Sequence, residues 1–230
     1  MKKRRIFRNL NDKEFAWVLY DVGNSAYTML ACALIPIWFK AMAIGTKPGQ
    51  LTSDRATAYY SMAIAVITIV VALLGPVCGA ISDYKGMKKI FFTSTVAVGV
   101  CGCILNGFAC QWIVFLLLFA ATKIFYNMSL MFYDSMLNDI TTEERMDEVS
   151  SYGYAWGYLG SCIPFLIALV AYVLGPDMAG IISGKLSMAI GFAVTGLWWL
   201  LVTVPLIKNY KQINYVEKKE HAVRSAFRRI

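Results

Sequence analysis

The sequence predicts an all-α integral membrane protein with six transmembrane helices. Hydrophobic residues make up 58% of the chain and charged ones only 16%, where soluble domains carry about a quarter. Apolar runs of about 20 residues, each long enough to cross a bilayer, recur along the chain. The cations gather between or outside those runs, as loop charges of a membrane protein do. A length of 230 residues leaves space for short loops and a tail, and for no separate soluble domain. The net charge of +8 records orientation rather than nucleic-acid binding, because it resides in the first residues, in the Lys85 to Lys89 turn and from Lys208 onward.

Residues 1–14 form a basic arm with Lys2, Lys3, Arg4, Arg5 and Arg8, suited to an anionic inner leaflet. Span 1 runs from about Phe15 to Met42. It carries Asp21 and Asn24, lacks a small-residue cleavage site and exceeds a signal-peptide core, so it is expected to be retained. Trp17 and Trp38 sit where its two interfacial anchors belong. Asp21, Asn24, Ser25 and Thr28 fall on one side of this helix and make a polar stripe inside the bilayer.

The Gly45 to Thr57 loop, with Pro48, Gly49 and Asp54, is expected to face outward. Span 2 runs from about Ala58 to Ser82. The turn that follows it, through Gly86, Lys88 and Lys89, faces the cytoplasm; Gly86 stands where the turn needs positive φ. Span 3 covers about Ile90 to Ala109, with Gly99, Gly102 and Gly107 for close helix contact. Span 4 runs from about Ile113 to Leu137. Lys123, Asn127, Asp134 and Asn138 lie within one narrow arc of it at about 100° per residue, making a second polar stripe.

The Asp139 to Ser151 loop is acidic, and Thr141 followed by Glu144 has the form of a capping box, so a short surface helix is expected there. Span 5, from about Val149 to Leu174, opens with Gly153, Gly157 and Gly160, a small-residue face for tight packing. Span 6 runs from about Leu186 to Ile207. The remainder, 208–230, is a basic cytoplasmic tail or a truncated central loop. The inner segments then hold most of the Lys and Arg, and the outer side only Lys40, Lys47, Arg55 and Lys185. That bias puts both termini in the cytoplasm.

Several chemistries are disfavoured. Gly180 to Lys185 imitates a phosphate loop, but it is one residue short and Leu186 replaces the Ser or Thr. No zinc-protease or nucleophile-elbow motif occurs, so no enzyme, cofactor or metal site is expected. The six cysteines have no metal-ligand spacing and read as small buried hydrophobes. His221, in the tail, is the single histidine.

Six spans with both ends on one side divide into two inverted three-helix repeats, and the polar stripes occupy the first helix of each. At about 1.5 Å per residue, Asp21 lies about 9 Å and Asp134 about 6 Å from the cytoplasmic ends of their helices, with Lys123 about 16 Å from the outer end of its own. A direct Asp21 to Lys123 salt bridge is disfavoured, since the two side chains lean opposite ways. Lys123 is suited to attract an anionic solute group such as an amino-acid carboxylate. Asp21 and Asp134 are placed to share a proton. Structural alternatives stand beside each role: a counter-ion for Lys123, helix packing for Asp21 with Asn24, and a solvated or capping position for Asp134.

The turn Gly79-Ala80-Ile81-Ser82-Asp83-Tyr84-Lys85-Gly86-Met87-Lys88-Lys89 resembles the Gly-x-x-x-Asp-Arg-x-Gly-Arg-Lys signature of the major facilitator superfamily. Gly79, Asp83, Gly86, Lys88 and Lys89 match, and Tyr84 replaces the usual basic residue. Trp17 to Tyr27, Glu144-Arg145 with Val149 to Gly160, and Leu197-Trp198-Trp199 are similar to the vacuole-effluxer-like, autophagy-related permease-like branch. Val22 and Gly23 depart from the aromatic residue and alanine usual there.

The resemblance covers nearly the whole chain and implies the N-terminal half of a twelve-span secondary active transporter. Its partners would be membrane lipid, a small polar solute, and a second six-helix half or another copy. It implies amino acids as solute, a bacterial cytoplasmic membrane as location, and Asp83 as a latch on a helix N-terminus of the second half. The competing readings are a half-size transporter acting as a homodimer, and a non-transporting scaffold or truncated remnant.

Overall fold

Asn11 starts the first helix. Its side chain accepts from the Lys13 and Glu14 amides at 2.9 Å, and the Glu14 carboxylate accepts from the Asn11 amide at 2.8 Å, a reciprocal cap for otherwise orphaned donors. The computed structural model describes residues 9–176 and 178–217. Among these, six helices follow in order: α1 (Asp12–Ala43), α2 (Ser53–Ser82), α3 (Met87–Asn106), α4 (Trp112–Ile140), α5 (Met146–Val173) and α6 (Gly184–Asn209). All six are long and apolar enough to span a membrane, and no strand occurs among the described residues. The basic arm up to Arg8, and the tail from Lys218 with His221, lie outside the described residues.

Four helices carry an internal proline, at Pro36, Pro76, Pro164 and Pro205, as membrane helices tolerate when neighbours compensate the freed backbone groups. Between α2 and α3 the chain reverses within four residues, and Gly86 makes this possible at φ +77°. Any residue with a Cβ is strained in that conformation.

The helices pack in a pattern that survives exchange of α1–α3 for α4–α6. α1 lies on α5 and α6, and α4 correspondingly lies on α2 and α3. Two three-helix units therefore interlock instead of sitting side by side, as inverted repeats require. α1 is the most buried helix and α2 the least. Large apolar side chains such as Met62, Ile69 and Leu73 on α2, and Leu159 and Leu166 on α5, point outward, suited to acyl chains or another helical body.

This arrangement corrects several expectations. Trp17 and Trp38, expected at the interfaces, are only 4% and 6% exposed. Trp17 stacks on Tyr133 with centroids 4.3 Å apart, and Trp38 packs on Phe192 at 5.5 Å. Both are core residues because α1 is a central helix. Of the six cysteines only Cys103 is buried, while Cys78 is half-buried and Cys32, Cys101, Cys110 and Cys162 are exposed.

Helix α2 begins earlier than expected and takes in Asp54, Arg55 and Thr57, and α3 begins at Met87, so Lys88 and Lys89 lie in its first turn. The acidic loop shrinks to a short connection with one 3-10 turn, Glu143–Arg145, that lacks a side-chain cap. Thr141 cannot cap it, because its hydroxyl donates to Glu14 Oε1 at 2.8 Å.

Candidate functional site

The α1 stripe meets α5 at its glycines. A Cβ on Gly153 would lie 2.9 Å from the Trp17 ring and 3.2 Å from Asp21 Oδ2, and one on Gly157 would lie 3.0 Å from Ser25 Oγ. At Gly160 it would run into Val22. Three absent side chains thus set how close α5 comes to the carboxylate of α1. Asp21 Oδ1 accepts from Asn24 Nδ2 at 3.1 Å. Thr28 Oγ1 and the Tyr126 hydroxyl of α4 share a hydrogen bond of 2.5 Å, which ties the stripe to the opposite repeat.

Between these helices lies a cavity of about 310 Å³. From α1 it is lined by Trp17, Asp21, Asn24, Ser25 and Thr28, from α4 by Tyr133 and Asp134, and from α5 by Ser150, Tyr154 and Tyr158. Its size is at the lower end of the range of about 300–1,000 Å³ for small-molecule sites. The structure therefore brings the whole α1 stripe and Asp134 together.

Lys123 and Asn127 do not line the cavity. The Lys123 ammonium sits over the Tyr126 ring at 4.6 Å and near the Tyr27 ring at 5.7 Å. Among the described residues no carboxylate lies within ion-pair distance of it. Two aromatic faces take the place of a counter-ion. Asn127 is half-buried.

The α2–α3 turn gathers a second constellation. Asp83 closes α2 with its amide on the Gly79 carbonyl at 3.2 Å, and its side chain remains 55% exposed. Lys88, expected as an orientation charge and a member of the gating turn, is buried: its ammonium lies 3.7 Å from Asp139 Oδ2, 4.0 Å from Asp83 Oδ1 and 3.3 Å from the Ser135 carbonyl of α4. Gly79 has room beside the Met131 side chain at 4.0 Å. Lys89 is half-buried.

Asp139, which sequence reasoning counted only among the loop acids, is the hub of this end. Its fully buried carboxylate accepts from the Tyr210 hydroxyl at 2.6 Å, from the Asn214 amide at 2.7 Å, and from Asn214 Nδ2 at 3.0 Å. Burial, and then the Asp139 carboxylate beside it, push the Tyr210 hydroxyl well above the usual tyrosine range. The segment after α6 then pairs with the turn: the Val216 amide donates to the Asp83 carbonyl at 2.8 Å, and the Lys85 amide donates to the Val216 carbonyl at 3.3 Å. These partners come from more than 40 residues away in the chain, so no local pattern announces them.

Glu14 is likewise buried and holds Arg145 at 3.1 Å, fastening the start of α1 to the α4–α5 connection. A wider hollow of about 540 Å³ beside it is bounded by Glu14, Asn138, Asp139 and Arg145. Glu14, Asp139 and Arg145 are already engaged by partners within the chain.

Two interlocked three-helix units around a polar cavity, with a charged turn at one end and six helices of membrane-spanning length, define a polytopic helical membrane bundle. Residues 16–229 match the Major Facilitator Superfamily. The chain belongs to that superfamily. It is 35% identical over 228 residues to an uncharacterized MFS-type transporter, YxiO, of Bacillus subtilis (strain 168), an alignment covering 98% of this chain and 53% of that protein. The chain thus spans about half the length of this curated relative. No solved structure matches it.

Proposed function

We propose that this chain forms the N-terminal half of a secondary active transporter that moves a small polar solute by alternating access. The cavity between α1, α4 and α5 is its solute pathway. The observation that carries the reading is the cavity itself: Asp21 and Asp134, on the first helices of the two repeats, line one hollow of small-solute size and lie inside helices where a carboxylate is costly without a task. The second six-helix half completes the pathway, since the aligned relative is about twice as long.

The Lys and Arg bias supports a cytoplasmic α2–α3 turn, where Asp83, exposed and only loosely held by Lys88, serves as the latch toward that second half. The similarity of Trp17 to Tyr27 and of Val149 to Gly160 to the vacuole-effluxer-like branch supports amino acids as solutes.

Solute counterflow in liposomes tests this. With the transporter expressed in its full reading frame, labelled solute exchange is expected to fall at least tenfold in Asp21→Asn, a loss of about 1.4 kcal/mol or more, and to be unchanged in Lys47→Gln. Full exchange in both Asp21→Asn and Asp134→Asn would remove the cavity from the pathway. Exchange by this chain alone would instead establish the half-size homodimer.

A further inference from the structure

We infer that the solute of this cavity is an organic amine bound in its protonated form, with its ammonium on Asp21 and Asp134 and its apolar body against the aromatic wall. The inference rests on the cavity being the solute pathway and adds the charge of what enters it.

The first ground is the charge of the lining. Two carboxylates face the cavity, and among its described lining residues there is no Lys, Arg or His. Asp21 Oδ1 takes one hydrogen bond from Asn24. Among the described residues Asp134 has neither a hydrogen bond nor an ion pair. Carboxylates inside membrane helices pair with a cation or face water, and among the described residues no cation pairs with either of these. An anionic solute would meet repulsion from both groups, and a neutral one would leave them uncompensated.

The second ground is the fate of the nearby lysine. Lys123 would be the natural partner for an anionic solute, but its ammonium is held over Tyr126 and Tyr27 at 4.6 and 5.7 Å and does not reach the cavity wall. It also shows that ring faces in this bundle hold an ammonium without a carboxylate. The cavity repeats these ingredients: the stacked Trp17 and Tyr133 rings form one wall, and Tyr154 and Tyr158, one helical turn apart on α5, line another.

Three indole probes of one shape and different charge test the inference: tryptamine (cationic), tryptophol (neutral) and indole-3-acetate (anionic), with putrescine as an amine lacking a ring. Binding is measured on the intact transporter in nanodiscs. Tryptamine or putrescine is expected to bind at least about tenfold more tightly than tryptophol and indole-3-acetate. Asp134→Asn is expected to remove most of that preference and Asp134→Glu to restore it. Because Asp134 is exposed to the cavity, these variants should fold, and unchanged melting confirms it.

Equal or tighter binding of either non-cationic indole, failure of both amines to bind, or an unchanged amine preference in Asp134→Asn would each overturn the inference. Ser25→Cys, in a background without the six native cysteines, separates this from failure of the pathway reading. Its protection from a water-soluble thiol reagent by indole-3-acetate, but not by an amine, overturns the charge assignment and keeps the pathway. No protection by any of the four probes overturns both.

Discussion

Replacing Asp139 by asparagine should destabilise the protein far more than the same change at Asp83, although both carboxylates face one lysine. Asp139 has no exposed side-chain surface, lies 3.7 Å from the Lys88 ammonium and accepts from Tyr210 and Asn214; Asp83 is 55% exposed, with Lys88 at 4.0 Å. Removing one partner of a buried ion pair costs about 3–5 kcal/mol. An exposed pair contributes about 0–1 kcal/mol. The side-chain amide introduced by Asp139→Asn keeps one acceptor but presents a donor either toward Lys88 and Tyr210, which share Oδ2, or toward the Ile213 and Asn214 amides, which share Oδ1, so little of the loss is recovered. For a chain of this size, 1 kcal/mol moves a melting midpoint by about 2–4 °C. Asp139→Asn is then expected to lower the apparent midpoint in detergent by about 10 °C and Asp83→Asn by no more than about 4 °C. Because Asp139 anchors the segment after α6, tryptic cleavage at Lys211 should also accelerate in the first variant only. Equal midpoints, or cleavage at Lys211 unchanged, would refute the assignment of Asp139 as the hub.

Two further outcomes follow from backbone geometry. Gly160→Leu is expected to push α5 off Val22 of α1, costing about 1–3 kcal/mol or more and reducing the monodisperse yield on size-exclusion chromatography. Gly79→Ala, with only Met131 nearby at 4.0 Å, should be tolerated in the same assay. At Gly86, φ +77° makes Gly86→Val cost about 1–3 kcal/mol, with Gly86→Asn markedly milder because Asn enters the left-handed region more readily; thermal melting of the two variants side by side checks the order.

The six spans are legible in the sequence because apolar length is a property of each segment alone, and the positions of Gly86 and of the α5 glycines are legible because backbone freedom is local. What stays hidden depends on which face of a helix meets which neighbour. Trp17 and Trp38 satisfy the interfacial rule for an isolated span, but α1 is enclosed by α5, α6 and α4, so its aromatic residues stack inside. Lys88 carries the same weight as Lys85 in a count of loop cations, yet only Lys88 has a buried carboxylate opposite it. Thr141 and Glu144 fit a capping pattern, and the competing Glu14 carboxylate is 127 residues away. The stripe on α4 reads as one surface, whereas a helix this long passes different neighbours along its length: Asp134 reaches the cavity and Lys123 reaches a pair of rings.

That helix also connects the two constellations. Asp134 and Asp139 are separated along α4 by about 7–8 Å at 1.5 Å per residue, and between them the Ser135 carbonyl accepts from the same Lys88 ammonium that faces Asp139 and Asp83. The end of α4 is thus held to the α2–α3 turn at two points within a turn and a half of helix, and to the segment after α6 through Tyr210 and Asn214. Packed units of this kind move as bodies rather than deform. On the proposed reading, a solute that pulls on Asp134 therefore pulls on the turn bearing Asp83 as well. With Asp83 as the latch on that reading, Lys88→Met, which leaves the buried Asp139 carboxylate without its cation, is expected to lower the melting midpoint as Asp139→Asn does and to abolish exchange across the membrane, while the fraction that folds keeps its solute affinity at the cavity.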